Sequence, residues 1–167
     1  MKKYTASLDL TAKIITVCVA VVLITIAVSV WVAPEDGEGI RVRIWVTCMM
    51  TAILTLGFSF APTRFALGDE GITIRRFWTD VFIPFDKIKS ARKVEKIPSK
   101  GLIRTMGSGG FFGYYGYFSN TEFGAMKWYV THRSNVIMIE VGSEKVLISP
   151  DEEDDFLAVL RQKTNFE

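Results

Sequence analysis

Two stretches of twenty residues without a charge constrain this chain more than any other feature. They are "IITVCVAVVLITIAVSVWVA" from Ile14 to Ala33 and "IWVTCMMTAILTLGFSFAPT" from Ile44 to Thr63. As helices, about 14–33 and 44–62, each is about 30 Å long, which matches the hydrocarbon thickness of a bilayer. A buried strand or core helix is excluded by length, since strands run about 4–8 residues. A signal peptide would fit Lys2 and Lys3 before the first run. That run exceeds an h-region of about 7–15 residues, and a second spanning run follows at once. These two segments account for the positive mean hydropathy of +0.25 and the 49% apolar content of a 167-residue chain.

The linker between them, "PEDGEGIRVR" at 34–43, is short and turn-rich, so residues 1–63 are expected to form an antiparallel transmembrane hairpin. Trp31 and Trp45 flank the linker, where interfacial aromatics sit. Lys2, Lys3 and Lys13 before the hairpin and Arg64, Arg75 and Arg76 after it outnumber Arg41 and Arg43 in the linker. The positive-inside bias therefore predicts a multi-pass cell-membrane protein with both termini cytoplasmic. Cys18 and Cys48 lie inside the apolar runs, belong to no CxxC pair and read as small apolar fillers. Thr47, Thr51, Thr55 and Ser59 recur every four residues, with Gly57 and Ala61 as a small-xxx-small pair. Such a stripe predicts helix–helix packing, first against Thr25 and Ser29 and next against a protein partner or second copy. The other reading is that each hydroxyl bonds back to its own helix.

From residue 64 to 167 the pattern changes to short β-like runs separated by turns. "RFAL" and "GITIRRF" flank "GDEG", then come "TDVFIPF", "KWYVTH", "NVIMIEV" and "KVLIS". Trp128/Val130, Ile137/Ile139/Val141 and Val146/Ile148 alternate with period two, as half-buried strands do, predicting an antiparallel sandwich or barrel. Ser149, Pro150 and Glu152 then form a capping box for a helix over about 150–163. The five acids Asp151 to Asp155 suit the positive end of that helix better than a calcium site, because consecutive acids point around a helix and no EF-hand spacing exists.

These runs resemble the bacterial pleckstrin-homology-like (PH-like) domain family, through "VFIPFDKI", a Gly/aromatic stretch and "YVTHRSNVIMIEVGSEKVLISPDEEDDFLAVL". The resemblance covers roughly Thr63 to Lys163 and implies seven strands in two bent sheets with the C-terminal helix plugging one end. Six strands are countable, and the seventh would lie within 88–106. The expected whole is two N-terminal transmembrane helices followed by an all-β PH-like sandwich or barrel closed by a C-terminal helix. The Gly/aromatic stretch "GSGGFFGYYGYFSN" at 107–120 satisfies neither the dinucleotide fingerprint nor the P-loop, and has no cation between Arg104 and Lys127. It reads as a tight loop or edge strand whose aromatics pack on the domain or lie at the membrane interface.

No catalytic, cofactor-binding or metal-binding motif stands out. His132, the only histidine, sits at a strand end with no GxSxG and no soluble cysteine. The run 87–104 carries seven cations against Glu95 alone. A solvated face and attraction to anionic lipid headgroups both explain it, the latter worth about 1 kcal/mol per side chain near a bilayer. Nucleic acid is the weakest reading. Lys89, Arg92 and Lys93 are the expected lipid contacts. Phosphoinositide binding through the first hairpin does not carry over from the resemblance, because "LGDEGI" is acidic. The chain is thus expected to be a non-enzymatic binding or scaffolding module that contacts protein partners or the membrane surface. The alternative is an enzyme, or a regulatory subunit of a membrane enzyme or transporter complex.

Overall fold

A computed structural model describes residues 1–34 and 39–164, so part of the expected 34–43 linker lies outside the described residues. Strand β1 (Lys2–Thr5) leads into helices α1 (Leu10–Val32) and α2 (Gly39–Ser59). Strands β2 (Pro62–Leu67), β3 (Gly71–Arg76) and β4 (Val81–Pro84) follow, then a 3-10 turn at Phe85–Lys87. Strands β5 (Ile88–Lys96), β6 (Ile103–Gly110), β7 (Gly113–Asn120), β8 (Gly124–Val130), β9 (Ser134–Val141) and β10 (Glu144–Ile148) precede helix α3 (Glu153–Lys163).

Asp9 starts α1, its carboxylate accepting from the Ala12 amide at 2.7 Å. Pro34 and Pro62, which disfavour helical geometry in the residue before them, stand just beyond the ends of α1 and α2. Both helices are long and apolar enough to cross a membrane, and little of either is covered by the rest of the chain.

The strands form two sheets, ordered β1-β2-β3-β4 and β5-β9-β10-β8-β7-β6. They make a sandwich and do not close into a barrel. Among the described residues, ten strands stand where the resemblance implied seven, because β1 and the pair β6–β7 were not countable from pattern alone. The expected antiparallel order also breaks once, since β10 runs parallel to β8 with Leu147 opposite Trp128.

Strands β9 and β10 lie at the centre and are buried on both faces. Ile137, Ile139, Val146 and Ile148 face β2, β3 and α3, while Val136, Met138 and Leu147 pack on Trp128, Phe118 and Ile97. The half-buried alternation expected here is therefore replaced by near-continuous burial. Phe156 and Leu160 of α3 are fully buried against the first core, as a closing helix requires.

Two local expectations change. Residues 2–5 pair antiparallel with β2, Tyr4 opposite Phe65 and Lys3 opposite Ala66, so they lie in the sheet. The capping box does not form: α3 begins at Glu153, and the Ser149 hydroxyl instead accepts from the Thr131 amide at 2.7 Å. Thr131 and Ser149 are both buried, and an unpaired amide there would cost more than a missing helix cap.

Candidate functional site: the face that meets the helices

The N-terminal turns of α1 and the last turn of α2 converge on the β6–β7 hairpin, which is where the Gly/aromatic stretch is used. At its tip, the Thr16 hydroxyl of α1 accepts from the Phe112 amide at 2.8 Å and donates to the Gly110 carbonyl at 3.3 Å. Gly110 has φ +135°, and a Cβ there would stand 2.6 Å from Ile15 Cδ1, so only glycine lets the strand end approach the helix. On the α2 side, the Tyr115 hydroxyl donates to the Gly57 carbonyl. A Cβ on Gly57 would meet the Phe111 ring at 2.3 Å. The Ser108 hydroxyl, 2.7 Å from the Phe111 carbonyl and 3.0 Å from that of Gly113, pins the turn from inside.

A ring of aromatics surrounds this joint. Phe58 of α2 stacks edge-on to Phe112 at 5.6 Å and tilts against Phe77 at 5.4 Å. The Trp78 amide donates to the Ser59 carbonyl at 3.2 Å, which holds the β3–β4 turn at the end of α2. Phe77 is 67% and Trp78 72% exposed, and both adjoin a helix long and apolar enough to cross a membrane.

Beside that turn, the outer face of the four-stranded sheet carries a groove of about 480 Å³. Lys3, Arg64, Arg75 and Arg76 surround it, Ala66 lines it, and Asp80 is its one carboxylate. Asp80 is committed: one oxygen is 2.9 Å from the Arg75 guanidinium and the other accepts the Arg76 amide at 3.2 Å. Arg76 donates twice to Thr79, at 2.7 and 2.9 Å, and lies over the Phe60 ring. Lys3 and Arg64 make no side-chain hydrogen bond or ion pair among the described residues. Register explains the convergence, for Lys3 faces Ala66 and Arg64 faces Arg75 across the sheet.

The basic run expected to touch lipid is dispersed. Lys93 donates to Asp154 at 2.7 Å and sits 3.0 Å from Glu153, and those two bonds raise its ammonium pKa. Arg92 lies over the Phe123 ring in the β7–β8 turn, while Lys89 is exposed. Seven residues of extended chain, about 23 Å, separate that turn from the hairpin tip at the helices. On α2, Thr47, Thr51, Thr55 and Ser59 each donate to the carbonyl four residues earlier, and Thr25 and Ser29 of α1 do the same. Among the described residues, only Thr47 of these also reaches across, accepting from Trp31 Nε1 at 3.0 Å. Gly57 meets the β6–β7 hairpin, and Ala61 is buried where α2 enters the sheet.

A family model described as Bacterial PH domain matches residues 63–164, more than half of the chain. The chain belongs to the bacterial PH domain family. Comparison with curated proteins and with solved structures gave no match. The matched span begins at β2, so β1 and both apolar helices stand outside it. In this PH-like domain the first-hairpin turn is acidic and tied down, Asp69 pairing with Lys163 of α3 at 2.9 Å. The arginine groove lies at the opposite end of that hairpin.

The acids that open α3 also have work beyond the helix dipole. Asp151 accepts from the Thr5 hydroxyl at 2.6 Å and from the Ser7 amide and hydroxyl at 2.8 and 2.7 Å. Partial burial pushes its pKa up, and these bonds more than reverse that, leaving it below the ordinary value. Asp155 is held low by Lys2 and by the Tyr4 hydroxyl, 2.7 Å away. Burial, with that bond to Asp155, pushes the Tyr4 phenol well up, so it stays protonated. Thus α3 clasps the N-terminal strand. His132 has Nδ1 2.6 Å from the Ser134 carbonyl and Nε2 3.9 Å from Asp151, so its ring is tied to the same clasp. Among the described residues, no cluster of three or more His, Cys, Asp or Glu could hold a metal ion.

Proposed function

We propose that this chain is a two-span membrane protein whose PH-like domain serves as a non-catalytic binding module on the cytoplasmic membrane surface. The observation that carries the reading is the pairing of β1 with β2, one strand on each side of the helical pair. Segments that share a sheet share a side of the membrane, which agrees with two crossings. Lys2, Lys3, Lys13, Arg64, Arg75 and Arg76 belong to that side, against Arg41 and Arg43 on the other, and this bias favours the cytoplasm. A domain stitched to the helices through Thr16, Gly57 and Ser59 is held in one orientation, as a surface-reading module needs. A partner helix or a second copy would pack on the α2 face of Cys48, Thr51 and Thr55.

Cysteine labelling of the full chain in sealed membranes tests the reading, in a background lacking Cys18 and Cys48. Gly37→Cys should react with an impermeant reagent from outside, and Asp69→Cys only after permeabilisation. The reverse pattern, or equal labelling of both, overturns it.

A further inference from the structure

The Lys3, Arg64, Arg75 and Arg76 groove has a surplus of charge that the protein does not consume. Four cations face one carboxylate, and that carboxylate is already bound to Arg75 and the Arg76 amide. Lys3 and Arg64 are both exposed, project from adjacent strands into the same space and make no side-chain hydrogen bond or ion pair among the described residues. An arginine pair presents forked donors matched to phosphate oxygens, and a lysine beside it adds a mobile third contact.

Position selects the ligand. Arg76 sits opposite Pro62, three residues beyond the end of α2, and Lys3 opposite Ala66, four residues further on. The groove therefore begins three residues past the helix end and, at about 3.3 Å per residue, runs about 13 Å along the sheet from there. The headgroup layer of one leaflet is about 5–8 Å deep, and the bond from the Trp78 amide to the Ser59 carbonyl holds the Arg76 end of the groove close to the helix end that borders this layer. Exposed Trp78 and Phe77 mark the same rim, where indole and phenyl rings prefer to lie. A diffusible anion could reach the groove, but a lipid phosphate would already be there at the high local concentration that tethering confers.

We propose that this groove binds the phosphate of an anionic phospholipid from the leaflet that faces the domain, its acyl chains lying beside Phe77 and Trp78. The site is separate from the 87–104 run, and it rests on the membrane-anchored reading above. Lys3 and Arg64 are its recruiting charges; Arg75 and Arg76, fixed by Asp80 and Thr79, form the preset wall.

The test is native mass spectrometry of the full chain in detergent micelles containing equimolar phosphatidylglycerol and phosphatidylcholine. The wild type should retain phosphatidylglycerol in preference, and Lys3→Gln with Arg64→Gln should lower that retention by about thirtyfold, the loss expected for two surface cations. The triple variant Lys89→Gln, Arg92→Gln, Lys93→Gln should retain lipid as the wild type does. Equal retention of both lipids by the wild type, or undiminished preference in the Lys3/Arg64 variant, overturns the proposal. Displacement of the lipid by excess inorganic phosphate would also overturn it, reassigning the groove to a free anion. Each single variant is measured with its melting temperature, so that loss of fold cannot pass for loss of lipid. Micelles need no particular topology, so failure here and failure of the labelling experiment are separate results.

Discussion

Phe156 and Asp151 show how differently two residues of one segment contribute. The Phe156 ring is fully buried and meets Tyr4 edge-on at 5.0 Å. Phe156→Ala should therefore cost about 3–5 kcal/mol, read by thermal or denaturant unfolding. Asp151→Ala removes the acceptor of three hydrogen bonds and should cost about 2 kcal/mol. Asp154, 79% exposed and sharing Lys93 with Glu153, should tolerate alanine with no measurable loss. The order Phe156, Asp151, Asp154 is the checkable outcome, and an equal effect from all three would refute it. The lowered pKa values of Asp151 and Asp155 also set a pH response. Near pH 4 the folded state binds fewer protons than the unfolded chain, so stability is complete above the ordinary carboxylate pKa and declines as pH falls through the lowered folded values. Asp151→Asn should flatten that acid limb in melting curves taken from pH 6 downward. At this scale the sequence told much about Phe156, since its spacing with Leu160 marks a buried face. It told little about Asp151, whose partners Thr5 and Ser7 lie some 145 positions away.

Among the elements, the β6–β7 hairpin and α2 carry the sharpest expectations. Thr16→Val would keep the shape of the side chain but remove the acceptor for the Phe112 amide and the donor to Gly110. Hydrogen exchange at residues 111–113 should accelerate while that of β9 stays slow. Unchanged protection at the tip would mean that it is held by something other than α1. On α2, exposed Cys48 shares a face with Thr51 and Thr55, so oxidation in native membranes should trap a dimer if a second copy packs there. Cys48→Ala would abolish the trapped species, and a monomer under oxidation would remove the homo-oligomer from consideration. Elements with a strong internal period were legible: both apolar helices, the β2–β3 and β9–β10 hairpins and α3. Those defined by partners were not. β1 is four residues with only Tyr4 buried, β6 is mostly exposed and rich in glycine, and the parallel contact of β10 with β8 joins strands separated by β9. The same reason hid the cationic groove. Residues 3, 64 and 75 are distant in the chain and meet only through register, whereas the contiguous basic run 87–104 spreads its side chains, Lys93 to α3, Arg92 to Phe123, Lys89 to solvent and Arg104 to the pocket beside Ile15, Leu56 and Gly57.

For the whole molecule, the decisive join is the one between the chain before the helices and the sheet after them. A fragment of residues 61–164 lacks β1, leaves the edge of β2 bare and removes Tyr4 from the core, so it should be aggregation-prone or only partly folded. Supplying residues 1–9 through a flexible linker should restore a cooperative melt and dispersed amide resonances, and a fragment that folds equally well without them would show β1 to be dispensable. This join also imposes an order on biosynthesis. Lys2–Thr5 leaves the ribosome before either helix, yet its partner strand is made only after both. If the helices cross the membrane as proposed, the sheet closes only around helices already handed to the bilayer, and a copy whose helices stall in the translocation machinery would keep an open sheet edge and an unfilled core. Quality-control proteases that recognise exposed apolar chain could then distinguish inserted from uninserted copies by the state of a soluble domain.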